Sequence, residues 1–243
     1  MKAILLSGGR GERLRPLTDK IQKVMLPLDK KPLLQYWIEL LKKYEINDIA
    51  INTHYLGEQI ENYFGDGKDF GVNIKYSKEE SLLGTATPIK RIENLYPSFC
   101  SEPFFVIYAD NLSNMNLEKV ISAHKKNSPI ATLTLHNHRD PWTKGIVNTD
   151  NEGKVLGFVE KPNKEDLISG KIKGEPASCV YLFEPEILNY INDTKEDLGT
   201  EVFPRLLKNG CSLYAFNPQA YVQDIGTLEG YEQAKKDVKK IFK

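Results

Sequence analysis

Residues 5–27 read LLSGGRGERLRPLTDKIQKVMLP. Gly8, Gly9 and Gly11 crowd into four positions, and Arg10, Arg13, Arg15, Lys20 and Lys23 follow, against only Glu12 and Asp19. Successive backbone N–H groups in a glycine turn make a concave anion site. Cations beside such a turn can neutralise several phosphate charges. Neither of two familiar phosphate loops fits. A P-loop ends in Gly-Lys-Ser/Thr, which the chain lacks. A dinucleotide fingerprint needs a third glycine, where this chain has Leu14. The excess of cations suits a triphosphate better than a dinucleotide. The competing reading is a surface turn whose charges face water.

A second chemical feature is a carboxylate, Asp110, closing the most apolar run of the chain, PFFVIYAD (103–110). A third is Asp224 in DIGT, which by itself could serve only as a carboxylate accepting amides at a helix start. The elements that must position these groups follow from hydrophobic periodicity. KAILLS (2–7), DIAIN (48–52), VNIKYS (72–77) and PFFVIYAD read as strands. They alternate with helical patterns at 32–44, 56–64 and 85–96, the first and last carrying Pro32 and Pro88 near their starts. Alternation of this kind implies a parallel sheet with helices on both faces. Ligands of such sheets bind outside the carboxyl ends of the strands, at the topological switch point. Gly8–Gly11 and Asp110 would both lie there.

The second half changes character. Strand-like runs at 130–138, 145–150, 154–162 and 177–184 precede helical patterns at 185–191 and 200–208. Strands at 212–217 and 220–226 and a charged helix at 228–242 close the chain. The expectation is an α/β fold: a Rossmann-like mixed, mainly parallel sheet, with a smaller α+β part. Residues 1–243 form one domain in this reading, with halves 1–125 and 126–243.

Composition narrows the function classes. Lys+Arg and Asp+Glu both number 33, so the formal net charge is zero, which argues against a coat for nucleic acid or for an anionic membrane. Cys100, Cys179 and Cys211 are widely spaced and odd in number, which fits reduced thiols in the cytoplasm. The N-terminal apolar run is too short for a signal sequence or a membrane span. His54 reads as a loop histidine, and His136 and His138, alternating on one strand, as structural. Trp142 stands in a loop before Gly145, where it could border a ligand.

GGRGERLRPLT, followed by Lys23, resembles the signature of the sugar-1-phosphate nucleotidyltransferases. The resemblance continues in order through KPLLQYWIELLKKYEINDIAIN, LLGTA, FFVIYAD, GFVEKP and DIGTLEGY, nearly the whole chain. It implies transfer of a nucleotidyl group from a nucleoside triphosphate to a sugar 1-phosphate, with Mg2+ and release of pyrophosphate. By this resemblance Leu6, Ser7, Gly8, Gly9 and Gly11 form the turn around the nucleotide phosphates, and Gly84 and Thr85 face the base. Arg13 grips the phosphates and Lys23 contacts the phosphate under attack. Asp110 and Asp224 hold the metal, while Gly145, Glu160 and Lys161 bind the sugar and its phosphate. LLGTA, NTHYLGEQI and FEPEIL are most similar to guanylyltransferases for mannose- or heptose-type 1-phosphates, so GTP is favoured. Thymidylyl and uridylyl transfer to a hexose 1-phosphate, cytidylyl transfer to phosphocholine and a non-catalytic relative are the alternatives. The ending of the chain soon after DIGTLEGY is taken to exclude an appended β-helix domain. Partners are expected to be these small molecules, with no nucleic acid or membrane; a homodimer is left open.

The chain departs from the family pattern at four places. Glu12 replaces a small hydroxyl, Gln22 and Val24 replace prolines around Lys23, and Ala109 replaces a glycine. Ala177-Ser178-Cys179 stands where many members have Asn-Ala-Gly, whose asparagine contacts the sugar. That last change bears on which sugar is taken.

Overall fold

A computed structural model describes residues 1–242. The first half runs β1 (Lys2–Leu6), a hairpin of β2 (Pro27–Leu28) and β3 (Lys31–Pro32), α1 (Leu33–Lys43), β4 (Asp48–Thr53) and α2 (Glu58–Phe64). It continues with β5 (Asn73–Lys78), α3 (Thr87–Leu95), β6 (Phe104–Tyr108), β7 (Asn111–Ser113) and α4 (Leu117–Asn127). Then come β8 (Ala131–Leu135), β9 (Ile146–Thr149), β10 (Val155–Val159), α5 (Lys164–Ile168) and β11 (Glu175–Phe183). The chain closes with α6 (Phe203–Lys208), β12 (Leu213–Phe216), β13 (Val222–Asp224) and α7 (Leu228–Ile241).

Nine strands form one sheet ordered β10-β9-β11-β6-β1-β4-β5, with β8 pairing both β11 and β12. The first-half strands β6, β1, β4 and β5 are mutually parallel, and β11 joins them antiparallel to β6. This is the mixed sheet with a parallel centre that the alternation implies. From β1 the chain moves outward to β4 and β5, then returns to place β6 on the other side of β1. The switch point therefore lies between β1 and β6, and the loops leaving both strands bound one crevice.

Burial on both faces explains the continuous apolar strands. Ile4, Leu6, Phe104 and Val106 pack with Ile89, Ile92, Phe203 and Leu206 of α3 and α6. Their alternate neighbours Ala3, Leu5, Phe105 and Ile107 pack with Trp37, Ile38, Ile60 and Val120 of α1, α2 and α4. A third cluster lies off the sheet. Tyr231, Ala234 and Val238 of α7 cover Leu14, Leu26, Leu112 and Ile225. It joins the far side of the glycine turn to the small ribbon in which β7 pairs antiparallel with β13.

Several elements escaped the sequence reading. The short β2, β3 and β7 carry too few residues for a periodic signal. In α4 only Leu117, Val120 and His124 are buried, so its apolar stripe is sparse, although Asn116 caps it by accepting the Lys119 N–H at 3.1 Å. The expected helix at 185–191 is a 3-10 turn (Pro185–Tyr190), and 198–202 is a π turn leading into α6.

Residues from the second half clamp the loop that enters the crevice before α3. The Ala86 N–H donates to the Glu196 carbonyl at 3.0 Å, and the Glu196 N–H donates to the Leu83 carbonyl at 3.2 Å. Arg205 Nη2 holds the Glu196 carboxylate at 2.5 Å, and Asn192 Nδ2 donates to the same oxygen at 2.6 Å. The Arg205 hydrogen bond outweighs burial and holds the Glu196 carboxyl down to about 2. A depressed carboxylate contributes stability that is fully present above its ordinary value of 4.5 and is lost as pH falls through about 2. Arg205→Met should lower unfolding free energy in urea by about 2 kcal/mol at neutral pH, less than a fully buried pair because Arg205 is partly in water. The variant should also lose much of the wild-type slope of stability between pH 4.5 and 2.

Candidate active site: two clefts that meet at Asp110

The crevice at the switch point is a cleft of about 400 Å3. Leu6, Ser7, Gly8 and Gly9 line it from the end of β1, Gly84 and Thr85 from the loop before α3, and Lys23, Tyr108 and Asp110 from its inner end. Two of its glycines have a steric reason. Gly84 has φ +86° and a Cβ there would collide with the Glu196 carbonyl. Gly8 is closely approached by Asn52 Nδ2, 3.0 Å from the position of a Cβ. Gly11 lies outside the cleft lining and shapes the turn instead. Its φ is +66°, and its carbonyl accepts from the Leu14 N–H at 2.9 Å and Thr18 Oγ1 at 2.8 Å.

A second cleft, of about 210 Å3, adjoins the first and shares Tyr108 and Asp110 with it. Arg13, Lys144, Gly145, Glu160, Lys161 and Asp224 line it, over a floor of His136, Ala177, Ser178, Cys179 and Tyr181. Gly145, Glu160, Lys161 and Asp224 are thus together. Arg13 lies on this side, with Nη2 beside Gly226, rather than in the first cleft with the glycines. Lys161 leaves most of its side chain in water and reaches Glu160 at 3.7 Å. Gly145 is required by close packing, since a Cβ would strike the Phe158 ring. Trp142 is not among the lining residues; the Lys164 ammonium sits 4.1 Å from its ring centroid.

Asp110 and Asp224 come together through backbone. Asp224 pairs with Asn111 in the β7–β13 ribbon, and the Ile225 N–H donates to the Asp110 carbonyl at 3.1 Å. Asp110 follows β6 by two residues, in the turn to β7, rather than ending the strand. Each carboxylate holds a lysine. Lys23 Nζ lies 2.5 Å from Asp110 Oδ2, and Lys144 Nζ lies 2.5 Å from Asp224 Oδ2. Asp224 Oδ1 also accepts the Gly226 N–H at 2.6 Å. Burial pushes the Asp224 carboxyl up, but Lys144, Gly226 and Lys23 outweigh it and the net direction is down. Burial raises Glu160, with Asp197 adding to it and Lys161 and Lys144 opposing. No cluster of three or more His, Cys, Asp or Glu suited to a metal occurs among the described residues.

Two parts of the site had weak sequence signals. Lys144 immediately precedes Gly145, and nothing in its spacing points to Asp224. The other part is a buried polar chain behind the glycine turn. Asn52 Oδ1 accepts the Ser7 N–H at 2.7 Å, Ser7 Oγ donates to the Asn52 carbonyl at 2.5 Å, and Asn52 Nδ2 donates to Glu79 Oε1 at 2.7 Å. From the other side Gln22 Nε2 donates to the Ser7 carbonyl at 2.6 Å, while Gln22 Oε1 accepts the Val24 N–H at 2.6 Å. Gln22 therefore caps the turn carrying Lys23 and ties it to the end of β1. A proline could make neither side-chain bond, which gives the departure at this position a structural role.

The chain matches the family model described as Nucleotidyl transferase over residues 2–241. It belongs to that family. It is 37% identical to a UTP–glucose-1-phosphate uridylyltransferase of Synechocystis, covering 96% of this chain and 62% of the relative. It is 34% identical to a mannose-1-phosphate guanylyltransferase of Mycobacterium tuberculosis, covering 97% of this chain and 64% of the relative. The nucleotidyl transferase chain described here thus spans under two thirds of these relatives' lengths. Among solved structures, a Bacillus anthracis protein crystallised with sucrose superposes with a TM-score of 0.84 at 24% identity, covering 97% of this chain and 94% of that one. A UDP-glucose pyrophosphorylase holding UDP-glucose superposes with a TM-score of 0.80 at 23% identity, covering 98% of each chain. At these identities the superpositions establish the Rossmann-like α/β fold.

Gln22 is wholly buried. Gln22→Ala should therefore destabilise this nucleotidyl transferase by about 2 kcal/mol, from one lost cap and one orphaned buried carbonyl. Urea unfolding measures the change.

Proposed function

We propose that the chain transfers a nucleotidyl group from a nucleoside triphosphate, GTP in the favoured reading, to a sugar 1-phosphate, releasing pyrophosphate. The observation that carries the proposal is the meeting of the two clefts at Asp110 and Tyr108. One is walled by a glycine turn with Lys23 beside it; the other is walled by Arg13, Lys144 and Lys161. Two substrates that each bear phosphate could thus occupy neighbouring clefts with their phosphates converging. The whole of residues 1–243 acts as one domain in this proposal, with β11 of the second half built into the first half's sheet.

The first cleft takes the triphosphate against the backbone of Gly8 and Gly9, with the base toward Gly84 and Thr85. The second takes the acceptor, its phosphate toward Arg13, Lys144 and Lys161 and its sugar toward Gly145 and Glu160. An oxygen of the acceptor phosphate attacks the α-phosphorus in line, a P–O bond forms, and the bond to pyrophosphate breaks. The acceptor oxygen is already ionised near neutral pH, so no general base is required. What the site must supply is alignment and charge neutralisation. Lys23 spans the turn and Asp110, with Nζ 3.4 Å from the position of a Cβ on Gly9, and so serves the phosphorus under attack.

Nucleotidyltransferases of this family commonly use a divalent metal. Asp110 and Asp224 fit a hard cation: both are carboxylates on one cleft, both already face a positive group, and magnesium needs only one or two such ligands. Bound there, Mg2+ would neutralise phosphate charge. Lys23 and Lys144 pair with the same two carboxylates, and a cation held there would free them toward the phosphates.

The 37% identity to a uridylyltransferase favours UTP as the second reading of the base. The cytoplasmic setting in this proposal is supported by the three cysteines, which are all free.

A pyrophosphate-release assay crossing GTP, UTP, dTTP and CTP with a panel of sugar 1-phosphates and phosphocholine tests the proposal. Release with GTP or UTP and a sugar 1-phosphate is expected, and none with phosphocholine. Asp110→Asn and Asp224→Asn should each lower kcat by about a hundredfold or more, with circular dichroism checking that each variant remains folded. Lys144→Met should act differently on the two ligands. The KM of the acceptor should rise, whereas Mn2+ binding followed by electron paramagnetic resonance should tighten, because a competing ammonium has gone from Asp224.

A further inference from the structure

The floor of the second cleft holds two buried polar side chains whose bonding within the protein is incomplete: the His136 ring meets the Ala177 backbone and leaves one nitrogen over, and Ser178 meets only a sulfur. His136 follows β8, is 6% exposed and lines the cleft, and its Nδ1 has no hydrogen-bond partner among the described residues. Ser178 of β11 is also 6% exposed and lines the cleft. Its hydroxyl is directed at Cys179 Sγ, 3.9 Å away, and a thiol sulfur is a weak acceptor. His138 packs edge-on to His136 with ring centroids 5.4 Å apart, but its Nδ1 accepts the Asp140 N–H at 3.0 Å and is not shared. An unpaired buried polar group is disfavoured, and native chains keep few of them. One unpaired ring nitrogen and one hydroxyl held only by a weak sulfur acceptor, side by side on one cleft floor, point to a ligand that supplies better partners.

We propose that His136 and Ser178 hydrogen-bond hydroxyl groups of the acceptor sugar and are the specificity-determining pair of this chain. The inference rests on the reading of this cleft as the sugar 1-phosphate site. Its chemistry is that of a neutral polyol. Burial first, then the charges of His138 and Lys144, push the His136 imidazole down to about 4, so the ring is neutral at physiological pH. A neutral ring has one N–H and one lone pair, and a serine hydroxyl has one donor and two acceptor sites. Such groups match hydroxyls and offer no charge to the phosphate, which has Arg13, Lys144 and Lys161. Between the pair, Ala177 offers only a methyl where the family pattern has an asparagine. The hydroxyl-reading function has thus passed to a neighbouring strand end and the next residue. A sugar lacking the matching hydroxyl would leave the pair unsatisfied, and sites of that kind reject deoxy analogues strongly.

The test measures kcat and KM of the wild type, His136→Phe and Ser178→Ala with glucose 1-phosphate, mannose 1-phosphate and their monodeoxy analogues. His136→Phe should raise the KM of the preferred parent sugar by about tenfold or more, with the KM of the nucleoside triphosphate changed by less than about twofold. The loss that the wild type shows on removing the contacted hydroxyl should vanish in the variant. Ser178→Ala should do the same for its own hydroxyl; it deletes a single oxygen and tests the pair even where the phenylalanine variant does not fold. Parent-to-deoxy ratios identical to wild type in Ser178→Ala and in any folded His136→Phe would overturn the proposal and leave the acceptor reading standing. A wild type that neither turns over nor binds any sugar 1-phosphate, by calorimetry, would overturn both, and that result is seen before any variant is made.

Discussion

Two carboxylates and two ammoniums are brought together at the place where β6, β7 and β13 meet. Like charges this close disfavour each other unless cations are interposed. Lys23 and Lys144 provide them, at 2.5 Å from Asp110 and Asp224 respectively. The rest of the architecture can be seen as holding this quartet. Lys23 arrives on a turn whose hydrophobic anchors Leu14 and Leu26 lie under α7. Asp110 and Asp224 arrive on the two strands of a small ribbon whose Leu112 and Ile225 lie under the same helix. One apolar cluster outside the main sheet therefore sets the positions of three of the four charges. Trp37 of α1 adds a fixed link, donating from Nε1 to the Asn111 carbonyl at 2.7 Å.

The two clefts are built by different means. The first depends on backbone: a glycine turn that lines the cleft, backed by the chain Gln22–Ser7–Asn52–Glu79. That chain crosses from the loop to β1 and β4 and on to the end of β5, so the turn is fixed against three elements. Burial raises the Glu79 carboxyl, and its hydrogen bonds from Asn52 and from the Leu83 N–H oppose that shift. The second cleft depends on side chains, with cations and carboxylates both among them. A triphosphate with many oxygens can be met by repeated amides, whereas a small acceptor must be placed by a few strong, directed contacts.

Much of this was legible in the sequence. The apolar strands and proline-opened helices gave the parallel centre, because strands buried on both faces are continuous apolar runs. The glycine turn and Asp110 could be put at the switch point from strand order alone. The resemblance grouped Gly145, Glu160 and Lys161 as sugar contacts and paired Asp224 with Asp110, and the structure brings all five to one cleft. What was not legible shares a physical cause: it depends on contacts between residues far apart in the chain. Lys144 meets Asp224 across 80 positions, and Gln59 meets Gln22 across 37. Arg13 lies in the second cleft because the chain passes Gly226 there, which no local spacing encodes. His136 alternates with apolar residues as a structural histidine would, and only the three-dimensional surroundings show that its buried nitrogen lacks a partner.

The groups that neutralise charge and the groups proposed to read the sugar sit on different elements. Asp110, Asp224, Lys23 and Arg13 lie on the turns and the small ribbon; His136 and Ser178 lie on β11 and the end of β8, inside the main sheet. A charge in a cleft acts over several ångströms, so it can be carried on turns and a short ribbon. A hydrogen bond to one hydroxyl weakens steeply with angle and distance, so it benefits from a rigid strand. Strand β11 pairs with β6, β8 and β9 and is among the most constrained segments of the molecule. Between Ala177 and Tyr181 its register against β8 shifts, and that irregularity falls where Ser178 faces the cleft. A break in strand pairing can re-aim a side chain without loosening the sheet. Selectivity for the sugar can thus change by substitutions along this floor while the charged quartet, anchored under α7, stays in place.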